Sequence, residues 1–98
     1  MHNVRYDRMA EEIKKSIAEI IREMKDPRIS PMTTIMSVDV TNDLKQAKVK
    51  VSVYDKDDAV RQASVDALNY ANGFISREMG RRMEIRALPK LKFLLDNS

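Results

Sequence analysis

The residues of this chain that could do chemistry are basic, and they cluster between Gly73 and Lys92. Six Lys and Arg residues stand there against two Glu, a net charge of +4, whereas the whole 98-residue chain carries +3. Both glycines of the chain lie in the same segment, and glycine lets another backbone approach closely. A local positive charge beside a helix start is typical of a site that binds a polyanion. The six basic residues are Arg77, Arg81, Arg82, Arg86, Lys90 and Lys92.

The spacing of these residues predicts how a phosphate would be bound. On a helix that begins at Gly73, Arg77 and Arg81 follow at four-residue intervals along one side. A phosphate near Gly73 would meet the first-turn amides, the positive end of the helix dipole and the guanidinium groups further along. Arg82 is offset from this row by about 100°. Two structural explanations stay open: the arginines form a solvated helix face, and Gly73 serves only as the C-cap of the preceding helix.

The residues that catalysis usually requires are scarce. The chain has no cysteine and a single histidine, His2, so neither a Ser/His/Asp nor a Cys/His set can be assembled. Asp55, Asp57 and Asp58 could bind a hard cation, but a helix N-cap explains them more simply. The sequence contains no GxxxxGK[ST] or GxGxxG motif. We therefore expect a protein that is not an enzyme and that uses no cofactor or metal.

The composition predicts one globular domain over residues 1–98. Its 43% hydrophobic and 34% charged residues are typical of a folded chain, and 98 residues suffice for one modest core. No apolar run approaches the ~20 residues that span a membrane, and the N-terminus lacks the apolar core of a secretory signal. We expect a cytoplasmic monomer that contacts no membrane.

The first half of the chain predicts a helix and a β-hairpin. Apolar residues recur at spacings of three and four, and the helix should end near Lys25 because Pro27 disfavours helical geometry just before it. Apolar and polar residues then alternate over 34–41 and 47–54, as in a sheet that is covered on one face. This alternation places Met36 on the covered, apolar face.

The second half predicts two more helices and a last strand. Helix three should run from about Gly73 to Arg82, and Pro89 marks the entry to the strand. The fold class is therefore α+β, in the order α-β-β-α-(kink)-α-β, with a three-stranded sheet and the helices packed on one face. The residues expected on the buried side of helix two are Val60, Ala63, Ala67, Leu68 and Ala71.

Few aromatic side chains are left to stack on nucleic-acid bases. Phe74 and Phe93 are expected in the core, so Tyr54 and Tyr70 are the plausible stacking rings. An interface with so few rings should recognise backbone and shape, mainly through charge. We expect the target to be a folded RNA or ribonucleoprotein in preference to a loose single strand.

Short motifs are distributed over essentially the whole chain. They are Lys25-Asp26-Pro27-Arg28, Asp43-Leu44, Ala47-Lys48-Val49, Ala71-Asn72-Gly73-Phe74-Ile75, Met83-Glu84-Ile85-Arg86 before Leu88-Pro89, and Leu91-Lys92-Phe93 with Asp96 and Ser98. In order and spacing they resemble the family of ribosome-binding factor A, a bacterial small-subunit assembly factor. The sequence departs from the family pattern at Ser76, where a basic residue often stands, and at Lys90, where an acid is common.

The resemblance implies a type II KH-like domain in which an Ala-x-Gly kink, matched by Ala71 and Gly73, replaces the GxxG loop. It also implies binding to free immature 30S subunits and their 16S rRNA. The expected role is late maturation, including processing of the 5′ end of the 16S precursor, and it matters most in the cold. An assembly GTPase is a further candidate partner. Family members often continue into a flexible C-terminal tail, and since the chain ends at Ser98 such a tail would be absent or removed.

The sequence thus predicts a non-enzymatic RNA-binding assembly factor. The main alternative is a general KH-like module that binds single-stranded RNA or DNA. Two others are a small protein-interaction domain whose basic face is only solvated, and an RNA-processing enzyme, which the missing catalytic residues disfavour. Because the end of helix one could lie near the kink, Lys25 and Arg28 are added to the predicted site. The predicted RNA-binding residues are Ala71, Asn72, Gly73, Arg77, Arg81, Arg82, Arg86, Lys90, Lys25 and Arg28.

Overall fold

The computed structural model describes residues 4–84 and 89–96, and its elements follow the predicted order. The helices are α1 (Val4–Met24), α2 (Asp58–Tyr70) and α3 (Asn72–Met83); the strands are β1 (Thr33–Val40), β2 (Gln46–Val53) and β3 (Lys90–Leu95). The first helix ends one residue before Lys25, which has a left-handed φ of 50°. Within the described part of the chain, no helix is long and apolar enough to cross a membrane.

The three strands form one sheet in the order β1-β2-β3. Strands β1 and β2 are antiparallel neighbours, and β3 runs parallel to β2 on its other side. The inward residues of β2 are Ala47, Val49, Val51 and Val53, all buried, while the residues between them face away from the helices. The helices therefore cover one face of the sheet, as predicted, and both β1 and β3 are edge strands.

The core lies between this covered face and the helices. Helix α1 contributes Ile13, Ile17 and Ile20 at helical spacing, each at most 1% exposed. Ile75 and Met79 of α3 are fully buried in the same cluster, and Phe93 of β3 is 1% exposed. The core thus fixes α3 against the sheet, which determines where the basic residues of that helix are presented.

The prediction for Met36 is wrong, because β1 contains a bulge. The pairing of β1 with β2 shifts register between Ile35 and Ser37, which leaves Met36 as the extra residue. A bulge reverses the face on which the preceding residues lie. Consequently Ile35 is buried and Met36 is 46% exposed.

The buried side of α2 also differs from the prediction. Val60 and Ala63 are exposed, and Ser64 and Val65 are buried in their place. The Ser64 hydroxyl accepts a hydrogen bond from the Ser30 backbone N–H at 3.0 Å, which satisfies a polar group in the core. The predicted N-cap is confirmed at Asp57, whose carboxylate accepts from the Ala59 N–H at 2.9 Å.

Candidate nucleic-acid interface

Helices α2 and α3 are joined by a single residue, Ala71. It is the C-cap of α2 and the N-cap of α3, with φ −90° and ψ 9°. Gly73 is the second residue of α3 and does not have a positive φ. The suggestion that Gly73 is the C-cap of helix two is therefore wrong, because Ala71 holds that position.

Three polar side chains attach the kink to the outer edge of β3. Asn69 is bonded twice to Phe93: its Nδ2 donates to the carbonyl at 3.0 Å, and its Oδ1 accepts from the N–H at 2.8 Å. Asn72 Nδ2 donates to the Leu91 carbonyl at 3.3 Å, and the Ser76 hydroxyl donates to the Pro89 carbonyl at 3.5 Å. Because an edge strand has backbone groups without a strand partner, these bonds satisfy part of that edge and fix the kink beside it.

Sequence reasoning missed Asn69 and Ser76 and gave Asn72 only a binding role. These residues could have been predicted from the fact that the backbone groups of an edge strand need hydrogen-bond partners. That need becomes visible only once β3 is known to be an edge strand beside α2 and α3.

Arg77 lies beside the kink. Its NH1 atom is 3.8 Å from the position that a Cβ on Gly73 would occupy, so the guanidinium group lies back along α3 toward Gly73. Among the side chains of residues 8–84 and 89–96, Arg77 has no ion-pair partner. Arg81 is 79% exposed and forms a salt bridge with Glu78 at 2.8 Å. Such exposed pairs contribute little, so both guanidinium groups remain accessible to an anion.

Arg82 is engaged with acidic residues of the protein itself. Its NH1 and NH2 donate to the two carboxylate oxygens of Glu23 on α1 at 2.9 and 2.7 Å. Hydrogen bonding to Arg82 lowers the pKa of Glu23, and the same bond raises the pKa of Arg82. Glu19 and Glu78 also lie within 4 Å of its guanidinium nitrogens, at 3.8 and 3.7 Å. This arginine therefore joins α3 to α1.

Lys90 lies at the start of β3 and shares a groove with the kink. The groove has a volume of about 660 Å³ and is lined by Asn72, Gly73 and Lys90, together with Lys48 and Lys92. Sequence reasoning did not place Lys48 in the site, because its proximity depends on the register between β2 and β3. Arg86 lies outside the described residues.

Arg28 is brought to the kink, as the sequence suggested, whereas Lys25 lies elsewhere. The Arg28 guanidinium carbon is 5.3 Å from the ring centroid of Tyr70, the last residue of α2. Its Nε and NH2 also donate to the Asp26 carboxylate at 3.1 and 2.8 Å, which lowers the pKa of Asp26 to about 2. Lys25 lines a separate groove of about 700 Å³ between α1 and the start of β1.

Two exposed aromatic rings flank the kink. Tyr70 is 81% exposed, as expected for a stacking ring, and Phe74 is 46% exposed. The prediction that Phe74 is buried is therefore wrong, since Ile75 is the first residue of α3 that faces the core. Tyr54, also 81% exposed, follows the end of β2.

These residues form a basic helix–kink–helix surface on a small α+β domain. We call it the kink surface: Ala71, Asn72, Gly73, Arg77, Arg81, Lys90 and Arg28. The model of the ribosome-binding factor A family matches residues 5–98. Ribosome-binding factor A of Clostridium perfringens is 43% identical over 99 aligned positions, which cover 100% of this chain and 85% of that protein. The chain therefore belongs to the ribosome-binding factor A family.

Solved structures of the family share the fold. The crystal structure of ribosome-binding factor A from Thermus thermophilus has a TM-score of 0.79 at 26% identity and covers 92% of this chain and 94% of its own. A homology model of the Thermus thermophilus factor, fitted into a cryo-electron-microscopy map of a 30S complex with it, has a TM-score of 0.71 at 27% identity. That comparison covers 87% of this chain and 88% of the other.

Proposed function

We propose that this chain is a cytoplasmic, non-enzymatic assembly factor that binds free immature 30S subunits through 16S rRNA at the kink surface. The observation that carries the proposal is the fold that it shares with the Thermus factor fitted in a 30S complex. The kink surface adds a suitable chemistry, because Arg77 and Lys90 present cationic groups beside Gly73, where no side chain obstructs a phosphate.

The function would follow from differential binding. A ligand shifts an equilibrium between two RNA arrangements only by the difference in its affinity for them. Binding one late arrangement of the 16S rRNA would favour processing of the 5′ end of the precursor. The contribution would be largest in the cold, when misfolded RNA rearranges slowly. In this proposal the chain acts as a monomer, and an assembly GTPase is the candidate for its release.

The hydrogen bonds of the kink support a folded target over a single strand. The outward carbonyls of Leu91 and Phe93 already accept from Asn72 and Asn69, so this part of the β3 edge is not free to bond base edges. The exposed rings of Tyr70 and Phe74 favour the alternative, because unpaired bases stack on such rings. The two functions therefore make different predictions for short oligonucleotides.

Charge reversal at the kink surface tests the proposal. In Arg77→Glu with Arg81→Glu we expect binding to free 30S subunits to fall by at least about tenfold. The slope of log K against log salt concentration should also fall by about two, because two phosphate contacts are lost. Co-sedimentation with purified subunits measures the affinity, and circular dichroism shows that the variant is folded.

The matched control is Lys15→Glu with Lys56→Glu, which changes the net charge equally. Both lysines are exposed and lie on α1 and in the loop before α2, away from the kink surface. A similar loss of binding in the control would mean that net charge alone drives association. Unchanged binding in the arginine variant would show that the kink surface is not the binding site.

A further inference from the structure

The face of the sheet that the helices do not cover carries a row of lysines. Lys48 and Lys50 project from β2, and Lys90 and Lys92 project from β3; all four are exposed, and each lies beside a buried residue that faces the core. We call these four residues the lysine face. Lys48 is the register partner of Lys92, so two ammonium groups stand side by side on neighbouring strands.

The protein itself does little to neutralise this face. Like charges on directly neighbouring strand positions destabilise a sheet. On the other side of β2, Asp39 is the register partner of Lys48. Even so, among the side chains of residues 8–84 and 89–96 no salt bridge or hydrogen bond engages any of the four lysines. A folded chain that keeps such a repulsive pair exposed has a positive surface suited to a polyanion.

The lysine face is continuous with the kink surface. Lys48, Lys90 and Lys92 line the same groove as Asn72 and Gly73, so the groove connects α3 with the uncovered side of the sheet around the edge of β3. A single RNA backbone could therefore contact both surfaces without a gap between them.

We propose that the lysine face is a second contact surface for the RNA sugar–phosphate backbone, which passes from the kink around the β3 edge. This inference rests on the proposed function. Lysine is a compact point charge that suits phosphate. It is depleted at protein–protein interfaces, so an RNA partner fits this face better than a protein. Contacts on both sides of β3 would fix the orientation of the factor on its RNA without reading bases.

The test compares Lys48→Gln with Lys92→Gln against the control Lys15→Gln with Lys56→Gln. Both double variants remove two positive charges, and binding to purified free 30S subunits is measured across a salt series. We expect the lysine-face variant to lower the log–log salt slope by about two and the affinity at low salt by about tenfold or more. The control should retain the slope of the wild type.

A second measurement separates binding from folding. Since Lys92→Gln removes a like-charge neighbour of Lys48, its thermal midpoint should be equal to or above that of the wild type while its binding weakens. A wild-type slope in the lysine-face variant overturns the inference. A loss of affinity with an unchanged salt slope also overturns it. A loss of binding to subunits without a loss of binding to protein-free 16S rRNA overturns it as well, because that result would indicate a protein partner.

The two proposals fail separately. If the arginine variant loses binding and the lysine-face variant does not, the lysine face is wrong and the proposed function stands. If neither variant loses binding, the binding site named in the proposed function is wrong as well; if the wild type does not bind free 30S subunits, the proposed function itself fails.

Discussion

At the scale of single residues, the partner of each arginine decides whether its charge is available to RNA. Arg82 donates to both oxygens of Glu23, and Glu19 and Glu78 lie nearby. Arg77 lies beside Gly73, and no acid among residues 8–84 and 89–96 pairs with it. Two arginines five residues apart on one helix therefore differ: Arg82 joins α1 to α3, whereas Arg77 is the one that we propose contacts RNA.

Asp26 should titrate near pH 2, well below the ordinary 3.8 of the group. The cause is hydrogen bonding from the Arg28 side chain and then from its backbone N–H. The pKa of Asp26 is lower in the folded than in the unfolded chain. The contact therefore stabilises the fold fully above pH 3.8, and this stabilisation is lost as the pH falls through about 2. Carbon-13 NMR of the Asp26 carboxyl group measures the titration directly.

Two variants test the cause of this pKa: Arg28→Gln, and Arg22→Gln as its control. The first variant removes the side-chain bonds, so the pKa of Asp26 should rise toward 3.8. The second removes an exposed arginine of the last turn of α1 that is not bonded to Asp26, so the pKa should stay near 2. Equal pKa values in the wild type and Arg28→Gln would contradict the assignment of the cause.

At the scale of elements, the kink is formed without the glycine that marks it in the sequence. Ala71 makes the junction, and Gly73 has ordinary helical backbone inside α3. A Cβ on Gly73 would meet only the Arg77 NH1 atom at 3.8 Å, an ordinary contact. The fold therefore does not require glycine here, and the proposed approach of an RNA backbone would give it a function.

Gly73→Ala should separate stability from function. Alanine costs less backbone entropy in a helix, so the free energy of unfolding should rise by about 0.4–1 kcal/mol. Binding to 30S subunits should weaken, because the methyl group occupies the space where the RNA backbone approaches. Chemical denaturation and co-sedimentation measure the two effects.

The control for this change is Ala63→Gly, at an exposed position of α2. It should lower the free energy of unfolding by a similar amount and leave binding unchanged. If Gly73→Ala binds as well as the wild type, the glycine is not needed for approach of the RNA.

Local patterns predicted the elements, whereas contacts between elements could not be read from the sequence. Pro27 ends α1 and Asp57 caps α2, because both effects act within a few residues. The bulge at Met36 depends on how β1 pairs with β2, which periodicity alone does not show. The partner of Arg82 stands 59 residues away, and the position of Lys48 beside Lys92 depends on register. The basic segment of the candidate site was therefore predictable, but the availability of each charge was not.

At the scale of the whole molecule, the distribution of charge matters more than its total. The net charge is only +3, yet the kink surface and the lysine face meet at the edge of β3 while Glu19 and Glu23 are gathered on α1 around Arg82. The long-range field of a molecule with so small a net charge should be weak, whereas the field beside these two basic surfaces should be positive. Orientation on the partner should thus be specific even though the attraction is short in range.

This arrangement predicts that the wild-type protein prefers free 30S subunits to short single strands. On a molecule of 37 × 29 × 17 Å, an oligonucleotide of about ten residues can reach both basic surfaces, but it must be ordered on binding. Folded 16S rRNA presents its backbone already arranged and avoids that cost. We expect an affinity for subunits at least about 100-fold higher at equal salt, with a steeper salt slope because more counterions are released. Filter binding and co-sedimentation over the same salt series compare the two ligands, and intact ribosomes serve as a third ligand.

Equal affinity and equal salt slope for oligonucleotides and subunits would instead support a general single-strand binder that uses Tyr70 and Phe74. Equal affinity for intact ribosomes and free 30S subunits would contradict an assembly role.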